Sequence, residues 1–252
     1  MILAGLSFCR AALLALSLAG IFQTLRTTEN LASREPVSVA AANLLAGHVT
    51  SPSTLAALVH HAGTMDCRSD QLINRAMLLV QATEQFLLLG QLRDFDTSID
   101  EAREDISRAI SCTPSSSSGW LMLFWESSLS GGHSGPSFQY LQRSYDLGPN
   151  EGWLSLLRMR LAASFLDGLP QSVQDVTVAE FISLVRSGFV EEAAKVYFMS
   201  GNVAQSLFDK GIESLPNAAA RELEGKVQEL MSISLTIALG EAKREFRSSP
   251  AR

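Results

Sequence analysis

At 252 residues the chain is long enough for one large core or two smaller ones, and its 46% hydrophobic and 18% charged content excludes disorder along its whole length. A net charge of −6, with a basic stretch only in "EAKREFRSSPAR" at the end, gives no basic face of the kind that nucleic-acid binding needs.

Residues 1–26 open the chain as "MILAGLSFCR AALLALSLAG IFQTLR", in which Arg10 precedes an uncharged run from Ala11 to Phe22. A positive start followed by an apolar core of this length reads as a secretory signal, and Ser17-Leu18-Ala19 offers small residues at the spacing signal peptidase prefers. The same segment also reads as an uncleaved anchor. Ile2 to Leu25 is long enough to span a bilayer, but Arg10 then lies in the apolar zone at a cost of about 3 kcal/mol unless it snorkels outward. A third reading is a buried helix of a soluble domain. Phe8 ahead of Cys9 is too large for a lipoprotein cleavage motif. Signal and anchor both place the rest of the chain in the periplasm, either free or held on the inner membrane and facing it. Residues 27–69 then read as a connector of short helices around "TSPST", with Ser51 or Ser53 capping the stretch from Leu55 to His61.

Leu, Ala, Glu and Gln dominate the remainder of the chain, and alternating apolar and polar residues are rare, which predicts an all-α fold. Pro114, Pro149 and Pro216 stand 35 and 67 residues apart, Trp120 and Trp153 stand 33 apart, and Phe86 precedes Trp120 by 34. A spacing near 34 is the signature of stacked helical hairpins. Within the units the small Ala102 marks a close helix crossing, and Ile106 and Ile110 continue a buried stripe. Leu123, Phe124, Leu141 and Tyr145 belong to the next unit, and Ala204, Phe208 and Ile212 precede Pro216. Each proline ends a hairpin's second helix. Ser117, Asn150 and Asn217 fit as caps of the next helix, and the tryptophans are expected to fill the gaps between hairpins. "DFDT" is expected to join the helices of the first unit and "SGGHSGPS" those of the second. After Trp153 the pattern runs into "GLPQSVQDV", where a second helix is hard to draw. "AAARELEGKVQELMSISLTIAL" closes the array, with Leu223, Val227, Leu230, Met231 and Ile237 on one side.

Over residues 70–239 these features resemble the tetratricopeptide repeat family, although Arg93, Ser127 and Arg160 stand where that family prefers tyrosine. The resemblance implies a right-handed α-solenoid of antiparallel helix hairpins, in which each hairpin covers its neighbour's apolar face. It also implies a partner-binding groove lined by the first helix of each unit. Carried over residue by residue, that groove falls on Glu84, Leu87, Gln91 and Asp94, then Ser118, Leu121, Trp125 and Ser128, then Glu151, Leu154, Arg158 and Leu161. Trp125 is the expected anchor, since aromatic residues dominate interface hot spots; the alternative is that it is buried between helices. Residues 240–252 are read as a flexible basic tail. In such a hairpin Cys67, ahead of the first helix, lies beside Cys112, at the end of the second. The two either bridge in an oxidising compartment or remain free thiols.

Catalytic signatures are lacking. His48, His60, His61 and His133 form no metal-binding spacing, since adjacent His60 and His61 diverge by about 100° on a helix. No glycine-rich phosphate loop occurs, and no cofactor is expected. Ser115 to Ser118 read as turn and cap chemistry rather than a nucleophile. Asp100, Glu101, Glu104 and Asp105, interleaved with Arg103 and Arg108, read as a solvated charged face. The expected function is therefore a non-enzymatic scaffold of the cell envelope that binds another protein, with analogy pointing to an accessory role in polysaccharide or envelope assembly. The alternatives are a glycan hydrolase on an all-helical scaffold and a structural homo-oligomer.

Overall fold

Proline and glycine set the helix boundaries of this chain, as a computed structural model shows for residues 17, 36–45, 48, 50–61, 67, 69–131, 135–149 and 151–248. The leader, residues 1–26, lies outside these residues except for Ser17. The described residues are helical, with no strand among them. They form two compact units, Met1–Pro114 and Ser115–Arg252, and the break falls inside the segment 70–239 that the sequence reads as one array.

The first unit holds α1 (36–45), α2 (Pro52–His61), α3 (Ser69–Leu88) and α4 (Leu92–Cys112). The Ser51 hydroxyl accepts the Thr54 amide at 3.3 Å and caps α2. α3 buries Leu72, Ile73, Ala76, Met77, Leu78, Leu79 and Val80 in succession, because α2 packs on it as well as α4. The turn between α3 and α4 is Leu89-Gly90-Gln91, not "DFDT", which lies at the start of α4. Gly90 has φ +69°, a conformation only glycine adopts cheaply. The Gln91 amide bonds back to the Phe86 carbonyl at 2.9 Å, so the chain turns before the aspartates. Asp94 then sits in the first turn of α4, where the helix dipole favours an acid. At the hairpin's other end Cys67 and Cys112 form a disulfide, with Cα atoms 5.7 Å apart.

The second unit is built from α5 (Ser117–Leu129), α6 (Gly135–Leu147), α7 (Gly152–Ala162), a 3₁₀ segment (Ala163–Gly168), α8 (Gln171–Arg186), α9 (Val190–Met199), α10 (Asn202–Ile212) and α11 (Asn217–Ser248). α5 packs on α6 and α7, α6 on α8, α7 on α8 and α9, α8 on α9 and α10, and α9 on α10 and α11. The stretch "GLPQSVQDV" resolves simply. α7 runs on as the 3₁₀ segment to Gly168, the chain turns through Leu169 and Pro170, and α8 begins at Gln171. Aromatic pairs join the layers: Phe124 meets Phe165 edge-on at 5.8 Å, and Phe181 stacks on Phe208 at 4.2 Å.

Several local expectations shift. The α5 cap is Ser116, whose side chain accepts the Gly119 amide at 3.1 Å; the neighbouring Ser117 hydroxyl instead donates to Glu151 at 2.7 Å. Glu151 precedes α7 in the cap position, Asn150 lies outside the described residues, and Asn217 is the first residue of α11. Trp120 packs against Tyr140, with ring centroids 5.9 Å apart. Trp153 fills no gap, because at 43% exposure it faces water while Leu154 turns inward. α11 continues through the segment expected as a flexible tail as far as Ser248. Glu241, Ala242, Lys243, Arg244 and Glu245 are good helix formers, and the helix passes through Gly240.

Candidate functional site

The groove positions carried over from the repeat resemblance are divided between the two units, and several of them are buried. Glu84 is half-buried, Gln91 and Asp94 are exposed, and all three belong to the first unit. In the second unit Glu151 is exposed, whereas Trp125 is 4% exposed, Leu121 and Leu154 are 0% exposed, and Arg158 is 0% exposed. Trp125 therefore presents no face to a partner; it belongs to the apolar layer with Leu121, Met122 and Phe124. Arg158 likewise belongs to the core, for a reason its neighbours make plain. Leu154 and Ala162 flank it at helical spacing on the buried side of α7.

Buried, Arg158 satisfies all five of its N–H donors. Nε donates to both Glu180 oxygens at 3.1 and 3.2 Å, and Nη2 donates to Glu180 Oε1 at 2.5 Å and to the Gly148 carbonyl at 2.9 Å. Nη1 donates to the Ser144 carbonyl and hydroxyl at 2.9 and 3.1 Å. The guanidinium lies 4.4 Å above the Tyr145 ring. The Thr177 hydroxyl donates its proton to the Val173 carbonyl at 2.7 Å, so Tyr145 donates to Thr177 across 3.0 Å. Burial, with Glu180 nearby, pushes the Tyr145 hydroxyl far above its usual range. Gly148 belongs to the same junction: a Cβ there would lie 2.7 Å from Ser117 Cβ. With every group committed to a neighbour, this cluster has the character of a structural lock.

The acidic face of α4 is also committed. Arg103 holds Asp100 at 3.0 Å, Arg108 holds Glu104 at 2.6 Å, and Arg75 on α3 holds Glu101 at 2.9 Å and Asp105. Arg75 Nε donates to the Val59 carbonyl of α2 at 3.3 Å, so one side chain ties three helices. Burial raises the Asp105 pKa, and the Arg75 charge opposes that rise. Each of the four carboxylates of this face thus has an arginine partner. No cluster of three metal-ligating side chains occurs among the described residues.

An open groove of about 490 Å³ runs along α11 beside α9 and α10. Its apolar floor is Ile212, Leu223, Val227 and Met231, and its rim carries Asp209, Asn217, Glu224 and Gln228, with Arg221 between them. Tyr197 donates to Asp209 at 2.8 Å; partial burial and the Asp209 carboxylate push its pKa up to about 12, so the hydroxyl stays protonated and remains a donor. The apolar surface continues past the groove, with Met231 42%, Ile233 50%, Leu235 62% and Ile237 57% exposed. The sequence pattern puts Met231 and Ile237 on the covered side of α11, yet only Leu223 and Val227 of that stripe are buried. Among the described residues no further helix covers the rest. Among those residues no helix is long and apolar enough to cross a membrane.

The chain matches no protein family, no curated protein and no solved structure.

Proposed function

We propose that the chain is a non-enzymatic, tetratricopeptide-like scaffold of the cell envelope that docks another protein in the α9–α11 groove of its second unit. The observation that carries this reading is the groove itself. An apolar floor that opens onto uncovered Met231, Ile233, Leu235 and Ile237 is a surface that gains free energy when covered. Its occupant is a helix with an apolar stripe, the helix-in-groove mode of recognition. The rim is rich in acceptors, with Asp209 and Glu224 beside the amide side chains of Asn217 and Gln228, and so favours Lys or Arg flanking that stripe.

The solenoid reading draws support from the contacts of the second unit, where α5, α6, α7, α8 and α9 each pack on the helix two places on. The envelope location rests on the apolar run after Arg10 and is consistent with the Cys67–Cys112 bridge, since disulfides persist in oxidising compartments. An accessory role in polysaccharide or envelope assembly is the class of function such a protein serves by analogy alone.

The test is a photo-crosslinking side chain at Gln228 in the full chain, in intact cells. The expected result is one defined protein adduct, and the purified adduct partner binds the chain with an affinity that Met231→Glu lowers about tenfold or more. Binding that is indifferent to Met231→Glu and to a charge placed at Val227 refutes the groove as the docking surface.

A further inference from the structure

Turn residues face water and are ordinarily polar or glycine, yet leucines surround the turn that joins α3 to α4. Leu87, Leu88, Leu89 and Leu92 are 46%, 86%, 63% and 63% exposed. A run of exposed apolar residues is a liability unless something covers it. The backbone also holds this run in place. The Leu89 amide donates to the Gln85 carbonyl at 3.0 Å, the Gly90 amide to Leu87 at 3.1 Å and the Gln91 amide to Phe86 at 2.9 Å. The tip is therefore formed before anything meets it.

Shape, charge and reach together select what covers it. Leu87 and Leu88 diverge by about 100° on α3, and Leu92 stands on the other arm, at the start of α4. A protein groove covers one side of a helix, whereas an apolar medium closes around a tip that is apolar on several sides. The exposed charges beside the tip are Arg93, Asp94 and Asp96, two acids against one base, which an anionic surface repels. Ser38, near the start of α1, accepts the Asn74 side-chain amide of α3 at 3.4 Å. From Asn74 to Leu87 is about 20 Å along the helix. Residues 27–35, between the leader and α1, span up to about 30 Å when extended. A leader lodged in a bilayer thus leaves the tip within reach of the same bilayer.

We propose that the leucine tip of the α3–α4 hairpin is a membrane-contact site that enters the surface of an uncharged, zwitterionic phospholipid bilayer. Insertion is shallow, because the backbone of the turn needs headgroups or water for its polar groups.

The full chain, reconstituted in vesicles of phosphatidylcholine brominated on its acyl chains, tests this, since bromine quenches tryptophan on contact. Leu88→Trp adds emission at the tip to that of the native Trp120, Trp125 and Trp153. Ser111→Trp adds it at an exposed position near the other end of α4, about 28 Å from Leu92 along the helix. The emission added at 88 is expected to fall several-fold against unbrominated vesicles, and that added at 111 to stay. Leu89→Asp/Leu92→Asp in the Leu88→Trp chain restores the lost emission without lowering the melting temperature, because both positions are exposed. Including phosphatidylserine does not increase the quenching. Equal quenching at 88 and 111, quenching at neither, or quenching that requires phosphatidylserine overturns the proposal. So does a protein adduct from a photo-crosslinker at Gln91, which would assign the tip to a protein partner.

Discussion

Arg75 in the first unit and Arg158 in the second each join helices through carboxylates, yet Arg75 keeps 15% of its side chain in solvent and Arg158 keeps none. Arg75 shares its charge between Asp105 and the 46%-exposed Glu101, so water can replace part of what it provides. Arg158 has no such recourse. All of its donors end on Glu180, Ser144 and Gly148 inside the core. The first unit adds a disulfide to its half-open ion pairs, whereas the second depends on a dry polar lock. The two solutions should respond differently to mutation, reductant and acid.

The largest difference is expected from removing the arginines. Arg158→Ala strands Glu180 and two carbonyl groups in the core and should destabilise the second unit by about 3–5 kcal/mol. Chemical denaturation followed by hydrogen exchange in α7 and α8 would measure it. The double variant Arg158→Met/Glu180→Leu should recover most of that loss, since a packed apolar pair needs no partners. Failure to recover would mean that the bonds to Ser144 and Gly148 matter more than the ion pair.

Reduction of the disulfide comes next. In the chain-entropy model a loop of this size stabilises by about 4 kcal/mol, and the loss should appear in the first unit alone. Arg75→Ala should cost less, about 1–3 kcal/mol, because Glu101 can turn to water. Comparing the melting of Arg75→Ala with that of Arg158→Ala sharpens the contrast, and equal losses would erase it.

Acid separates the units by a smaller margin. The Asp105 carboxyl binds its proton more tightly in the fold than in the unfolded chain. The stability this group adds is fully present below its ordinary pKa of 3.8 and is lost as pH rises through its higher folded value. Asp105→Asn should therefore flatten the fall in stability that begins above about pH 4, read as the melting temperature of the first unit against pH. A slope unchanged by the substitution would place the titration elsewhere.

Much of the helical punctuation is legible in the sequence. Pro114, Pro149 and Pro216 fall just past α4, α6 and α10 because proline cannot continue a helix. The hairpin geometry that sets Cys67 beside Cys112 comes from the same reasoning. The start of α8 is harder to read, because a 3₁₀ segment rather than a clean stop carries the chain to Pro170. The break at Pro114 leaves no mark of its own, since that proline looks like the others. Assigning Arg158 to a groove register hides its role; its signal is a charge at helical spacing between the apolar Leu154 and Ala162, answered by a lone Glu180 between Thr177 and Leu184. Each is a charge on an apolar face, and each needs the other. The α9–α11 groove is invisible in the sequence for a different reason: it depends on α11 outrunning the helices that cover it.

The functional claim is tested most directly by the same photo-crosslinker placed at Gln228 on α11 and, in a separate protein, at Gln91 in the α3–α4 turn. Docking in the α9–α11 groove predicts a discrete protein adduct from Gln228 that Met231→Glu abolishes, and none from Gln91. An adduct from Gln91 alone, or one from Gln228 that survives Met231→Glu, would contradict it.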